Sequence, residues 1–77
     1  MTFAEELKRI RQRSFLSQEA FAKEINVSFS TVNRWESGKT KPNLIAMKNI
    51  KEFCENKGFE YSNLEELWLS FGEDTKE

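Results

Sequence analysis

Hydrogen-bonding and cationic side chains crowd into one short stretch, SFSTVNRWESGKTK, from Ser28 to Lys41. Wound as a helix, it turns Val32 and Trp35 inward and Phe29, Ser30, Thr31, Asn33 and Arg34 outward. Arg34 has the clearest chemistry, because its planar fork can give two hydrogen bonds to the O6 and N7 acceptors of one guanine. Phe29 can lay its ring on a thymine methyl, an apolar contact that carries sequence information. Ser30 is small and adaptable. Ser28, Thr31, Lys39 and Lys41 suit phosphate oxygens, which supply affinity without sequence content. The plain alternatives are a surface arginine, a core Phe29 and solvated loop lysines. The inner positions are filled without Phe29, which favours the outward reading.

Other chemistry is hard to build here. The chain has no histidine and a single cysteine, Cys54. Neither a zinc site nor a Cys/His or Ser/His nucleophile can be assembled from that set. A glycine-rich phosphate loop is absent. Glu5/Glu6 and Glu65/Glu66 are adjacent in sequence and so point to different helix directions, as helix-end dipole partners do. No enzyme, cofactor, metal or small-molecule substrate is expected.

These residues must be positioned by a small scaffold. The chain has 77 residues, 32% charged and 38% hydrophobic, with one proline and three glycines. That composition fits one all-α globular domain. No window is apolar enough to span a membrane, and MTFAEELKRIR lacks a secretory core, so a cytoplasmic setting is expected. Met1 to Lys57 holds 11 Lys/Arg against 7 Asp/Glu, while Gly58 to Glu77 holds one Lys against 6 Asp/Glu. A basic body with an acidic end is compatible with nucleic acid if the basic residues share a face.

Five helices are expected. Thr2 and Glu5 form a capping box for the first, with Phe3, Leu7 and Ile10 on its inner stripe. Ser14 and Phe15 break that pattern. Ser17 caps the second, whose inner face is Phe21, Ala22 and Ile25. Asn26 is the turn residue, tolerant of the left-handed conformation. Ser28 caps the third, which runs to about Ser37 and is stopped by Gly38. Asn43 caps the fourth, with Met47, Ile50, Phe53 and Cys54 inward and Gly58 at its end. Ser62 and Glu65 form a second capping box, and Leu64, Leu67, Trp68 and Phe71 make the stripe of the fifth. Residues 1–72 form the domain, with Gly72 ending the last helix and 73–77 a flexible acidic tail.

Helices two and three meet the demands of a helix-turn-helix. Two helices crossing steeply over a short turn need a small residue at the crossing, and Ala22 is there. They need a residue that accepts positive φ, and Asn26 can. Phe21, Ile25, Val27, Val32 and Trp35 stand where apolar residues must lock the crossing. On LKRIRQ, LSQEAFAKEINVS and TVNRWESGKTKPN, the chain resembles the Cro and phage-repressor (XRE-type, lambda-repressor-like) helix-turn-helix family from about Phe3 to Leu67. It departs from the pattern at Phe15 and Asn26, where glycine is frequent, and in the longer polar linker from Glu55 to Tyr61.

The resemblance implies a compact five-helix domain that binds duplex DNA, commonly as a two-fold homodimer on a pseudo-palindromic operator. It implies that Phe29, Ser30 and Arg34 face bases, with Asn33 beside them. Gln18 matches a phosphate contact at the start of helix two, and Arg11 with Glu36 matches a partly buried structural ion pair. Repressor-like transcriptional control in a bacterial or phage setting, near the nucleoid, follows by the same analogy. Trp68, Leu69 and Phe71 exceed what the last helix needs; they are core, or they form a dimer interface. Two alternatives stay open. One is a protein-interaction module of the same fold, such as an antitoxin or repressor antagonist. The other is the DNA-targeting N-terminal domain of a larger protein.

Overall fold

Helix starts follow the small polar residues. In the computed structural model, which describes residues 1–71, α1 spans Phe3–Arg13, α2 Gln18–Glu24, α3 Phe29–Glu36, α4 Leu44–Lys57 and α5 Ser62–Leu69. Thr2, Ser17, Ser28 and Asn43 each accept a hydrogen bond from the backbone N–H three residues on. Each therefore satisfies a donor that the helix itself leaves open. At Thr2 the box is complete, since Glu5 accepts from the Thr2 backbone N–H at 3.0 Å. The expected second box does not form. Tyr61 is the N-cap of α5 and makes no side-chain cap bond, while Ser62 lies inside the first turn and donates to Glu60. Packing fixes this helix instead: Leu64 is fully buried and Tyr61 rests on the core.

Helix ends share one device. After α1, α2, α3 and α4 the chain enters the left-handed region at Phe15 (φ 60°), Asn26 (φ 66°), Gly38 (φ 85°) and Gly58 (φ 75°). In each case the next N–H bonds back five residues: Leu16 to Arg11, Val27 to Ala22, Lys39 to Arg34 and Phe59 to Cys54. A shorter bond from the left-handed residue itself accompanies each one. This paired closure satisfies the last free carbonyls of a helix. Asn26 and Gly38 were legible as stops. Phe15 adopts the geometry in spite of its Cβ, which costs on the order of 1–2 kcal/mol.

One core joins all five helices. Phe3, Leu7 and Ile10 of α1 meet Phe21, Ala22 and Ile25, then Val32 and Trp35 of α3, Met47, Ile50, Phe53 and Cys54 of α4, and Leu64 of α5. The Phe21 and Phe53 rings meet edge-on at 5.1 Å. Leu16, Val27, Phe59 and Tyr61 close the margins. Glu6 corrects the sequence reading. It is 3% exposed and turned inward, with Arg9 at 3.3 Å, so only Glu5 serves as a helix-end partner. No described helix is long and apolar enough to cross a membrane. The expected stop at Gly72 and the tail 73–77 lie outside the described residues.

Candidate nucleic-acid interface

The crossing of α2 over α3 is tight because Ala22 is small. It is 2% exposed, and its carbonyl accepts the Val27 N–H at 2.9 Å across the turn. α3 then begins at Ser28. The Ser28 hydroxyl oxygen takes the Thr31 N–H at 3.2 Å and lies 2.8 Å from the Thr31 hydroxyl and 3.2 Å from that of Ser30. Ser28 and Thr31 are thus tied together at the start of the helix, with Thr31 half-buried.

A second fixture holds the far end of α3. Arg11 donates from Nε and Nη2 to the two oxygens of Glu36 at 2.7 and 3.0 Å, and from Nη1 to the Leu16 carbonyl at 2.9 Å. The two side chains are 11% and 4% exposed. The pair is bidentate and mostly desolvated, with three directed bonds joining α1, the α1–α2 loop and α3. That geometry fixes angle as well as distance.

Gln18, at the first position of α2, extends this fixture outward. Its amide nitrogen donates to Glu36 at 2.9 Å, and its amide oxygen accepts from the Asn33 amide at 3.2 Å. Residue types alone did not reveal this link, although the close approach of α2 and α3 at Ala22 would have allowed it.

What remains open on α3 is a continuous outer face. Phe29, Ser30, Asn33 and Arg34 are exposed, and they fall within an arc of roughly 140° at 100° per residue. Phe29 is 52% exposed, which excludes the core alternative for its side chain. Arg34 and Lys39 are exposed and make no ion pair among the described residues. Directional donors and an apolar ring on one face, with cationic charge at its end, can read an edge pattern in a groove.

Lys41 departs from expectation. Its Nζ donates to the Trp68 carbonyl at 2.9 Å and sits 4.7 Å from the Trp68 ring centroid. The ammonium is committed to the C-terminal end of α5, where a cation is favoured. Trp68 answers by donating its indole N–H to the Pro42 carbonyl at 2.7 Å. Phe71 packs edge-on to Phe3 at 6.4 Å. Trp68 and Phe71 are therefore half-buried packing residues, whereas Leu69 is 54% exposed. Two exposed apolar residues escaped notice, Leu44 and Ile45, each 74% exposed in the first turn of α4. A helical wheel places both off the Met47–Ile50–Cys54 stripe, and that signal could have found them.

Cys54 is fully buried, and burial pushes its thiol up to about 11, with Glu6 and Glu55 adding to the shift. A thiol so hard to ionise is a packing group.

An all-α domain whose α2 and α3 cross over a left-handed turn, with a polar outer α3, is a helix-turn-helix protein by architecture. Comparison with known proteins agrees: the sequence model of the helix-turn-helix family matches residues 7–59. The chain belongs to this family, in its XRE-type branch of Cro and phage-repressor domains. It is 40% identical over 53 residues to a protein of Enterococcus faecalis named HTH-type transcriptional activator BcrR. That match covers 69% of this chain and 26% of the relative, so the chain spans about a quarter of that protein's length. No solved structure matches.

Proposed function

We propose that this protein is a sequence-specific duplex-DNA-binding regulator of transcription that lays α3 in the major groove. The observation that carries this is the open face of Phe29, Ser30, Asn33 and Arg34 on a helix locked from behind by Arg11 and Glu36. Reading base edges needs donors held at fixed angles, and the buried pair supplies that rigidity. In this reading the four outer residues meet bases. Ser28, Thr31, Lys39 and the remaining Gln18 N–H meet phosphates, while Lys41 tethers α5.

Two-fold pairing on a pseudo-palindromic site belongs to the same proposal. So does repressor-like action by occupying a promoter, in a cytoplasmic setting. The relative carries its matching segment within a longer chain, which supports a modular DNA-targeting unit.

Selection from a random duplex pool at fixed salt tests the reading. The expected result is an enriched motif with half-sites about one helical turn apart. A pool that stays random, with only weak salt-sensitive binding, would reject it. On the selected site, Arg34→Ala should weaken binding by about 1–3 kcal/mol and relax preference at one base pair. Equal loss on all sequences would remove Arg34 from base reading. A reporter driven by a promoter carrying the site gives the sign of regulation, and lower output is expected.

A further inference from the structure

Gln18 and Asn33 form a pair whose hydrogen bonding selects a base, a role that rests on the DNA-binding reading above. A carboxamide has two N–H donors and an oxygen with two acceptor sites. Asn33 spends one N–H on the Gln18 oxygen at 3.2 Å, in a link between residues 15 apart in sequence. It therefore turns outward one N–H and its oxygen, a single donor beside a single acceptor. Adenine presents the complementary edge in the major groove, an N6–H donor beside the N7 acceptor. Guanine presents two acceptors, O6 and N7, and would need two donors. The second donor is the one that Gln18 has taken.

Gln18 is itself held. Its nitrogen donates to Glu36 at 2.9 Å, and Glu36 is 4% exposed and clamped by Arg11. This fixes which end of the Gln18 amide is oxygen, because the carboxylate can accept only from the nitrogen. The oxygen is then left to face Asn33, and the Asn33 amide is oriented in turn. The relay runs from a buried carboxylate to an exposed amide in three hydrogen-bonded steps.

We propose that Gln18 is a positioning residue that orients Asn33 to read adenine and to discriminate against guanine at one position of the site. One further N–H of Gln18 stays free for a phosphate, so docking on the backbone and reading of the base act through the same amide.

The test uses the full chain and the duplex obtained by selection, with the base pair under Asn33 varied through all four choices. That position is the one whose preference Asn33→Ala flattens. Wild type should prefer adenine there by roughly ten-fold over guanine, about the discrimination one bidentate pair provides. Gln18→Ala should flatten the same base pair and leave preferences elsewhere unchanged. The double variant should lose no further discrimination at that position. Should Gln18→Ala fail to fold, Gln18→Met keeps the length without the amide and carries the same comparison. An adenine preference that survives Gln18→Ala, with affinity falling equally on all four duplexes, overturns the proposal. So does a wild-type preference for a base other than adenine, or an Asn33→Ala variant that flattens nothing. Absence of any sequence-specific binding by wild type is a different failure, that of the DNA-binding reading itself.

Discussion

Arg11 and Glu36 matter because each is nearly dry. Removing one partner strands a charge that burial makes costly, and solvent offers little relief at 4% exposure of the carboxylate. Arg11→Ala should therefore lower unfolding free energy by about 3 kcal/mol, read by urea denaturation. A loss well below 1 kcal/mol would mean that the pair is no more than a surface bridge. Cys54 yields a pH prediction. Its thiol ionises at 9.0 ordinarily and at about 11 in the fold. Below pH 9 both states keep the proton, and stability is unaffected. Between pH 9 and 11 the unfolded chain ionises while the folded one does not, so about 2–3 kcal/mol drains away as pH rises. Cys54→Ala should remove that part of the fall in an alkaline denaturation series. At this scale the sequence was informative wherever type dictates role, as at Arg34, Ala22 and the Arg11–Glu36 pair. It was silent on Glu6, whose inward turn depends on packing around α1, and on Gln18, whose partners are chosen by the crossing of two helices.

Elements were legible where chemistry is local. Four N-caps and the stops at Asn26, Gly38 and Gly58 each use a few neighbouring residues, and each was readable from them. α5 was readable as a helix but not in its fastening. Its start lacks a side-chain cap, and its end is held by Lys41 and Trp68 across 27 and 26 residues of chain. That distance explains why Lys41 read as a free loop cation. The two lysines of the α3–α4 loop should now behave differently. Lys39→Ala should weaken binding on every sequence and reduce the slope of log affinity against log salt by about one unit. Lys41→Ala should leave that slope unchanged and instead speed hydrogen exchange in α5. A slope change for Lys41→Ala would return it to the phosphate contacts. Phe15 shows the reverse failure. Its residue type argued against a left-handed stop, yet the closing bonds from Phe15 and Leu16 impose one, and the ring is left 94% exposed.

The whole molecule carries a net charge of −1 at pH 7, with the positive residues concentrated before Gly58. Glu65 and Glu66 on α5 are exposed and add to the acidic end. Attraction of the basic body to a polyanion is opposed at long range by that end, within a Debye length of about 8 Å at physiological salt. Replacing both glutamates by glutamine should raise the association rate with the selected duplex at low ionic strength, by stopped-flow fluorescence. The gain should vanish as salt approaches about 1 M, where the Debye length falls to about 3 Å. A gain independent of salt would point to a direct contact. The five-helix architecture was legible at this scale because periodicity and caps agree. The exposed apolar residues Leu44, Ile45 and Leu69 lie outside that agreement, since no local rule fixes what an outer face meets. The repeated closure at four helix ends has a kinetic side. Each stop is completed by residues no more than five apart, so the ends of α1 to α4 can form before distant parts of the chain meet. Topologies built from such near contacts fold in microseconds to milliseconds. The Arg11–Glu36 clamp joins residues 25 apart and must wait for the helices to dock. Folding thus ends by tightening the helix that the proposed function requires to be rigid.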